Sequence, residues 1–482
     1  MGLVHMAINL YEVSIMKVFD IKKRLTVIIL CLIFCTIFEV NAYSQNDLEV
    51  TGTAIILMER STGRVLYERN ADSLIYPASM IKVLTAIIAL DYINPNETIR
   101  VGSEIYYTPV GSSIAGHVYG EYISGLNLIR ALLLPSGNDS SNIVVANVAR
   151  IVSGQNLPFN EAELLFTNLM NERALGIGIK YSNFTNAHGF HDPNMQATVR
   201  ELAMIADYAI NNPIIRQIAS EITFVGNSLP WADDIMLTSE FNWHNTNRLL
   251  AGEFHNPDIT GLKTGFHTPA GWCLIATGSR NGIELISVIA GSYANERWVD
   301  TTALFNYAFN NYNIETVHLA SNTITEIYIH NPRWGDPGSA EVLGSRDFSY
   351  YLTEDELNLI ASNIVFFEDL MYIDYYGNAL SFIAPFSTGD IIGEIIYTLN
   401  GQELFRDNIM IQEDILEWSY LASFVFIANY LIENPFSIFG LSFILGLIFL
   451  GIVIYKVLSL ISAFNIKRAK LRNISRPKFK YK

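Results

Sequence analysis

After Pro77, apolar residues fall at Ile81, Leu84 and Ile88, with Val83, Ile87 and Leu90 on the other faces. This spacing predicts a helix that is apolar nearly all round, and such a helix is a buried one. Pro77 suits its entrance, because the first helical position needs no N–H. Upstream, residues 50–57 and 65–67 read as two strands. The turn between them, Arg60-Ser61-Thr62-Gly63-Arg64, carries a glycine, so the pair is a hairpin. Residues 76–212 are mostly helical in pattern. Strand patterns return near 261–264, 272–277 and 284–290, and a helix over 297–312 closes the region. Helices in the middle with strands from both chain ends predict an α/β or α+β layered fold. After about residue 315 the pattern changes to short alternating strands, as at 323–329, 371–375 and 391–399. Turn signals such as Asn331-Pro332 and Asn400-Gly401 separate them. This predicts a small β-rich domain.

The two ends have a different texture. Lys17, Lys22, Lys23 and Arg24 precede an apolar run over 25–38, followed by Val40-Asn41-Ala42. A basic segment, an apolar segment and a small-x-small site read as a secretory signal peptide cut after Ala42; the other reading is an uncleaved anchor. Met16 is a candidate start. Residues 436–455 carry no charge and are long enough to cross a bilayer. Beyond them lies a basic tail with no acid, which the positive-inside rule places in the cytoplasm. The stretch 415–432 is apolar and aromatic: it suits the membrane interface or packing on the ectodomain. The predicted organisation is therefore a signal region over 1–42, a larger domain over 43–314 and a β-rich domain over 315–413. A possible interfacial helix over 414–435, a transmembrane helix over 436–460 and a tail over 461–482 follow. The chain is then held in the cytoplasmic membrane by one C-terminal span, with its domains outside.

Charge sorts along the same lines. Residues 43–435 hold 18 basic and 44 acidic side chains, a formal net charge of −26. Such a surface argues against nucleic acid as a partner. Two of the three cysteines, Cys31 and Cys35, leave with the signal. Cys273 remains alone, so no intramolecular disulfide forms in the mature chain.

Three short motifs carry candidate chemistry. Ser79 lies in the first turn of the predicted buried helix, where unpaired N–H groups and the positive dipole end favour developing negative charge. Lys82 follows one turn later on the same face. A buried lysine loses its preference for charge and can take a proton from a neighbouring hydroxyl. In Leu134-Pro135-Ser136-Gly137-Asn138, Ser136 can relay a proton and Asn138 can both donate to and accept from a peptide. In Gly261-Leu262-Lys263-Thr264-Gly265-Phe266, a lysine and a threonine can hold a carboxylate, with Gly265 allowing close approach. Taken singly, these are a capped helix start, a loop and a turn into a strand. It is the order Ser79-x-x-Lys82, Ser136-x-Asn138, Lys263-Thr264-Gly265 that distinguishes them.

That order resembles the signature of penicillin-binding proteins and serine β-lactamases. The chain resembles in particular the D-alanyl-D-alanine carboxypeptidases of low molecular mass. Asn186-Ala187-His188-Gly189, Ala270-Gly271-Trp272-Cys273-Leu274 and the segment from Ala384-Pro385 to Ile391-Ile392-Gly393 carry the likeness further. The resemblance implies a penicillin-binding, transpeptidase-like fold and a serine-type hydrolase acting on peptidoglycan stem peptides. Ser79 would attack the carbonyl between two terminal D-alanines, Lys82 would take its proton, and Ser136 would pass one to the leaving amine. Asn138 would position the peptide, and Lys263 and Thr264 the carboxylate. The N–H groups of Ser79 and Phe266, beyond Gly265, would hold the oxyanion. β-Lactams would acylate Ser79, and neither metal nor cofactor is implied. His188 and His191 read as structural. Where the family usually has Thr after the position of Phe266, this chain has His267.

Other readings stay open at this stage. A D,D-endopeptidase would use the same residues, and a catalytically silent wall-binding protein would have lost one of them. A β-lactamase would need its Glu-x-x-Leu-Asn loop between the second and third motifs. Here Glu354-Asp355-Glu356-Leu357-Asn358 comes after the third and reads as a surface helix start.

Overall fold

A computed structural model describes residues 48–229, 239–332, 338–373, 379–416, 419–434, 442 and 445–460. The predicted signal region lies outside these residues. The chain divides into two compact units, Met1–Tyr312 and Asn313–Lys482.

The first unit is built on one antiparallel sheet. Strands β1 (Ala54–Glu59) and β2 (Val65–Arg69) form the opening hairpin. β3 (Ile259–His267), β4 (Gly271–Arg280) and β5 (Ile283–Ser292) come more than 180 residues later. The order is β2-β1-β5-β4-β3, and β1 pairs with β5 from Ala54↔Ala290 to Glu59↔Leu285. The sheet thus joins the two ends of the domain and leaves β3 as an edge. Ala54, Ile55, Ile56 and Leu57 are all buried. A strand buried on both faces reads as a continuous apolar run, because both faces are covered.

Between the two groups of strands run α1 (Lys82–Tyr92), α2 (Gly125–Leu133), α3 (Asn138–Ser153), α4 (Phe159–Ile177), α5 (Val199–Ile210) and α6 (Pro213–Ser220); α7 (Glu296–Asn311) follows β5. Every residue of α1 from Lys82 to Ala89 is buried, as its all-round apolar pattern requires. Ser124 caps α2 by accepting the Asn127 N–H, and Thr198 caps α5 from Glu201. Each such cap contributes about 1 kcal/mol, enough to fix where a helix starts but small beside the burial of α1. Cys273 sits fully buried in β4, and burial pushes its thiol up to about 11. It is a packed strand residue, inert at neutral pH.

The second unit is a seven-stranded sheet. Its strands are β6 (Thr323–His330), β7 (Ser339–Gly344), β8 (Ile360–Phe366), β9 (Met371–Ile373), β10 (Ala379–Ile383), β11 (Ile391–Leu399) and β12 (Gln402–Ile411). Their order is β8-β11-β12-β7-β6-β10-β9. Ile327, Val342, Ile392, Ile409 and Ile411 form its core, which also takes in Ile415, paired with Phe386 in both directions at 2.8 Å. Glu354–Asn358 is a short helix with a capping box from Thr353 and Glu356. Helix α8 (Tyr420–Glu433) follows and exposes Tyr420, Phe424 and Tyr430.

No helix among the described residues is long and apolar enough to cross a membrane. Of the expected span over 436–460, residues 442 and 445–460 are helical; Leu445, Phe449 and Leu458 among them are exposed, and the rest of the span lies outside the described residues.

Candidate active site

Ser79 lies on a tight 3-10 turn, Ala78–Ile81, and the α-helix begins only at Lys82. This differs from the first helical turn that the sequence predicts. The reason is Ala78, whose φ of +47° is outside the α region. A non-glycine residue there costs roughly 1–3 kcal/mol and persists only where its surroundings hold it. Two glycines let those surroundings close in. A Cβ on Gly265 would stand 3.2 Å from the Ala78 Cβ and from the Pro77 carbonyl oxygen. One on Gly189 would stand 2.0 Å from the Ala78 carbonyl oxygen. Gly189 also has φ +80°. Gly189→Ala is therefore expected to displace the Ser79 turn. Penicillin labelling and D-alanine release should fall at least ~10-fold, with a stability loss of about 1–3 kcal/mol; thermal unfolding beside a labelling time course checks both.

The Lys82 Nζ lies 2.9 Å from Ser79 Oγ and donates to Asn138 Oδ1 at 2.6 Å and to the His188 carbonyl at 2.7 Å. Ser79 Oγ also donates to the His188 carbonyl at 3.3 Å. Lys82 is fully buried, and its ammonium is held well below the usual lysine range. Desolvation is the main cause and the charge on Lys263 the next; Asp139 opposes both. In the neutral amine, two N–H groups serve Asn138 and His188, and the lone pair is left for the Ser79 hydroxyl.

The second serine lies between α2 and α3. Ser136 itself has φ +63°. Lys263 Nζ donates to Ser136 Oγ at 2.9 Å and to the Thr264 carbonyl at 3.0 Å. Burial first, and Arg297 second, bring the Lys263 ammonium down to about 7. Asp139 tethers the neighbouring loop, accepting the N–H groups of Ala115, Gly116 and His117 at 2.8–3.2 Å. That loop supplies Gly111, Ser112 and Ser113 to the cavity wall.

Of the eight residues singled out in the sequence, Ser79, Ser136, Asn138, Thr264, Gly265 and Phe266 line one cavity of about 650 Å³. Lys82 and Lys263 lie buried beside it, reaching Ser79 and Ser136 respectively. Sequence reasoning missed four participants. Arg297, from α7, lines the same cavity. Its guanidinium lies over Trp272 and Trp298, 4.5 and 4.1 Å from the ring centroids, and burial brings it down to about 10. Its Nε has no hydrogen-bond partner. Thr246 Oγ1 is 2.7 Å from Thr264 Oγ1. The His188 carbonyl binds Lys82 and Ser79, while its ring accepts the Phe190 N–H, and His191 lines the cavity. A lone arginine, a threonine and a backbone oxygen leave no motif. Among the described residues, no three His, Cys, Asp or Glu side chains stand together as a metal site.

A family model described as D-alanyl-D-alanine carboxypeptidase matches residues 40–294. The D-alanyl-D-alanine carboxypeptidase DacF of Bacillus subtilis is 22% identical over 410 residues, covering 83% of this chain and 96% of that protein. DacA of Haemophilus influenzae is 26% identical over 379 residues, covering 77% and 86%. Among solved structures, penicillin binding protein 5 from Haemophilus influenzae superposes with a TM-score of 0.55 at 25% identity, covering 77% of this chain and 98% of that one. The carboxypeptidase DacD from Francisella tularensis gives 0.57 at 21% identity, covering 77% and 94%, a likeness of fold.

Proposed function

Because the chain belongs to the D-alanyl-D-alanine carboxypeptidase family, peptidase family S11, we propose that its serine-type D-Ala-D-Ala carboxypeptidase reaction runs through Ser79, Lys82 and Ser136. The observation that carries this reading is the 2.9 Å contact between Ser79 Oγ and the buried, pKa-depressed Lys82.

The stem peptide lies along the free edge of β3, where main-chain groups are open to an added strand. Thr264 and Arg297 hold its terminal carboxylate, and Asn138 orients the preceding residue. Neutral Lys82 takes the Ser79 proton as Oγ attacks the carbonyl between the two D-alanines. The N–H groups of Ser79 and Phe266 receive the oxyanion, a role worth about 3–4 kcal/mol per donor in other acyl-transfer enzymes. Ser136, held by Lys263, receives the proton that Lys82 took and passes one to the D-alanine nitrogen, so the C–N bond breaks and Lys82 is neutral again. Neutral Lys82 then takes a proton from water as it attacks the Ser79 ester, and returns that proton to Ser79 Oγ as the ester C–O bond breaks. A β-lactam enters as an acylating mimic, but its leaving group stays tethered. The test is free D-alanine from a stem pentapeptide and covalent labelling by a fluorescent penicillin, using full-length protein in detergent. Absence of both from folded protein would sink the reading.

The same geometry sets a pH profile. Lys82 must be neutral to act, so kcat/KM rises as pH climbs through its depressed pKa. Lys263 must be charged to steady the site, so kcat/KM falls again as pH passes about 7. Such a bell reports the free enzyme's groups. Initial rates at low substrate from pH 5 to 9 check it; a flat profile would remove both lysines from these roles.

For the ends of the chain, the proposal is a signal cut after Ala42, extracytoplasmic domains and a single C-terminal anchor over 436–460. The exposed apolar helical residues 445–460 and the basic tail support it. Chain ended after Asn434 should leave the membrane fraction and keep its penicillin labelling. Continued membrane association would move the attachment to α8.

A further inference from the structure

The chain is acidic, with 47 acidic residues against 31 basic ones, yet the cavity beside Ser79 is not. Its titratable lining is Arg297, His191 and His267, with no carboxylate among the described residues that form it. An acid-free wall in an acidic protein is a site built for an anion.

The two imidazoles come from different parts of the chain and meet on that wall. His267 is the last residue of β3, three beyond Thr264, and it is half-buried. Its Nδ1 accepts the Ala270 N–H at 3.1 Å. The neutral ring therefore carries its proton on Nε2. The His191 ring stands 5.2 Å away, centroid to centroid, with the planes at 61°. Tyr76 packs edge-on to His191 at 4.9 Å and lies 6.1 Å from His267. His191 is tied to the nucleophile, because its loop supplies both the His188 carbonyl and Gly189. The pair is thus fixed relative to Ser79.

We propose that His191 and His267 form a proton-accepting pair that binds the substrate's terminal carboxylate, so that substrate capture strengthens as pH falls while the chemical step weakens. This deepens the carboxypeptidase reading and rests on it. The groups facing His267 are His191 from the loop and the Tyr76 phenol ahead of the nucleophile turn; Arg297 lines the same cavity, and Lys263 lies further back on the same strand. All are cationic or neutral. Burial and His191 hold the His267 imidazolium below the ordinary range. A carboxylate brings the missing negative charge and reverses that balance, so binding takes up a proton. At high pH the neutral Nε2–H still donates one hydrogen bond. At lower pH the second proton goes to Nδ1, the Ala270 N–H keeps the His267 carbonyl as its acceptor at 3.0 Å, and the charged ring adds an ion pair through Nε2–H. The substrate carboxyl stays ionised throughout, since its own pKa lies near 3.5.

The decisive experiment measures KM and kcat separately from pH 5.5 to 8.5 on full-length protein in detergent. The substrate is a pentapeptide ending in D-Ala-D-Ala, beside the same peptide with a C-terminal amide. For the free acid, KM should fall about 3–5-fold from pH 8 to 6, as a pKa rise of about one unit on binding gives when the free ring lies below its ordinary range. On the acid side of its profile kcat should fall as Lys82 protonates. The amide's KM should be flat. In His267→Thr the KM slope should disappear while the acid limb of kcat stays. His191→Gln, which removes the neighbouring imidazole by a different route, should reduce the slope, and thermal unfolding shows that each variant is folded. An equal KM slope in wild type, His267→Thr and His191→Gln, or an equal slope for acid and amide, would overturn the proposal. Should the wild type release no D-alanine at any pH, the carboxypeptidase reading itself has failed. The pair is then judged on benzylpenicillin, which also carries a carboxylate: its acylation rate should gain from low pH in the wild type relative to His267→Thr, and equal rate profiles would overturn it there.

Discussion

Ser79→Ala is expected to stop D-alanine release and penicillin labelling together, with the fold intact. The substitution removes one oxygen from a site where that oxygen meets only Lys82 and the His188 carbonyl. Both keep other partners, Asn138 among them. Stability should therefore change by less than about 1.5 kcal/mol, the usual net worth of one hydrogen bond. Activity should fall by roughly 10⁶, because a nucleophile that acts as part of a unit takes the whole unit with it. The oxyanion donors and the carboxylate site remain, so the variant should still bind the peptide. Titration of Ser79→Ala with pentapeptide, beside a release assay and a thermal melt, separates these outcomes. Residual turnover above about one part in 10³ would move the nucleophile elsewhere.

Lys82→Met keeps the volume and the apolar burial of the side chain but removes the amine. It should reduce both acylation by penicillin and kcat/KM for the peptide by about 10³-fold, the middle of the range for a positioned general base. KM should change little, since Lys82 reaches none of the groups assigned to the carboxylate. Two effects on stability oppose each other. The Asn138 amide oxygen and the His188 carbonyl lose a donor, at about 1–3 kcal/mol for each buried group left unpaired. Against this, the desolvation that depresses the Lys82 pKa disappears. The clearest signature is the pH profile. The acid limb of kcat/KM belongs to Lys82, so the slow residual reaction of Lys82→Met should lack it. An acid limb unchanged in the variant would assign it to another group.

Lys263 and Lys82 show why two buried lysines can do different work in one site. Lys82 contacts a hydroxyl, an amide oxygen and a carbonyl, and the charge on Lys263 adds to its desolvation while Asp139 opposes both. Lys263 sits under Ser136 and Thr264 with Arg297 near, and it falls only to about 7. One is therefore suited to hold a lone pair and the other a charge at neutral pH. Burial pushes both in the same direction; the neighbours set how far.

Much of this was legible in the sequence because it is local. The all-round apolar run after Pro77 gives a buried helix wherever it is placed; Ser79 sits on the 3-10 turn that leads into it, and residues i and i+3 of such a turn eclipse, so Ser79 and Lys82 meet by local geometry. The opening hairpin, the capped helix at Glu354–Asn358 and the alternating strands after residue 315 follow from turn chemistry and period in the same way. Three motif residues, Ser79, Ser136 and Lys263, carry side chains whose chemistry is evident from their type and order. The tertiary structure alone decided what lies against them. The His188 carbonyl is 106 residues from Lys82 and is one backbone oxygen among hundreds, so nothing in its residue type marks it. Arg297 enters the cavity because α7 packs on β4 and β5, which carries its guanidinium to the Gly265 and Cys273 carbonyls, a matter of sheet order. The turn at Ser79 is tight because Gly265 and Gly189 let a strand and a loop close on Ala78, and a positive φ at an alanine is stable only under that pressure. Sequence fixes which groups are present and which neighbours along the chain can meet. Burial, and with it the depressed pKa that turns Lys82 into a base, exists only once distant segments have excluded water around it.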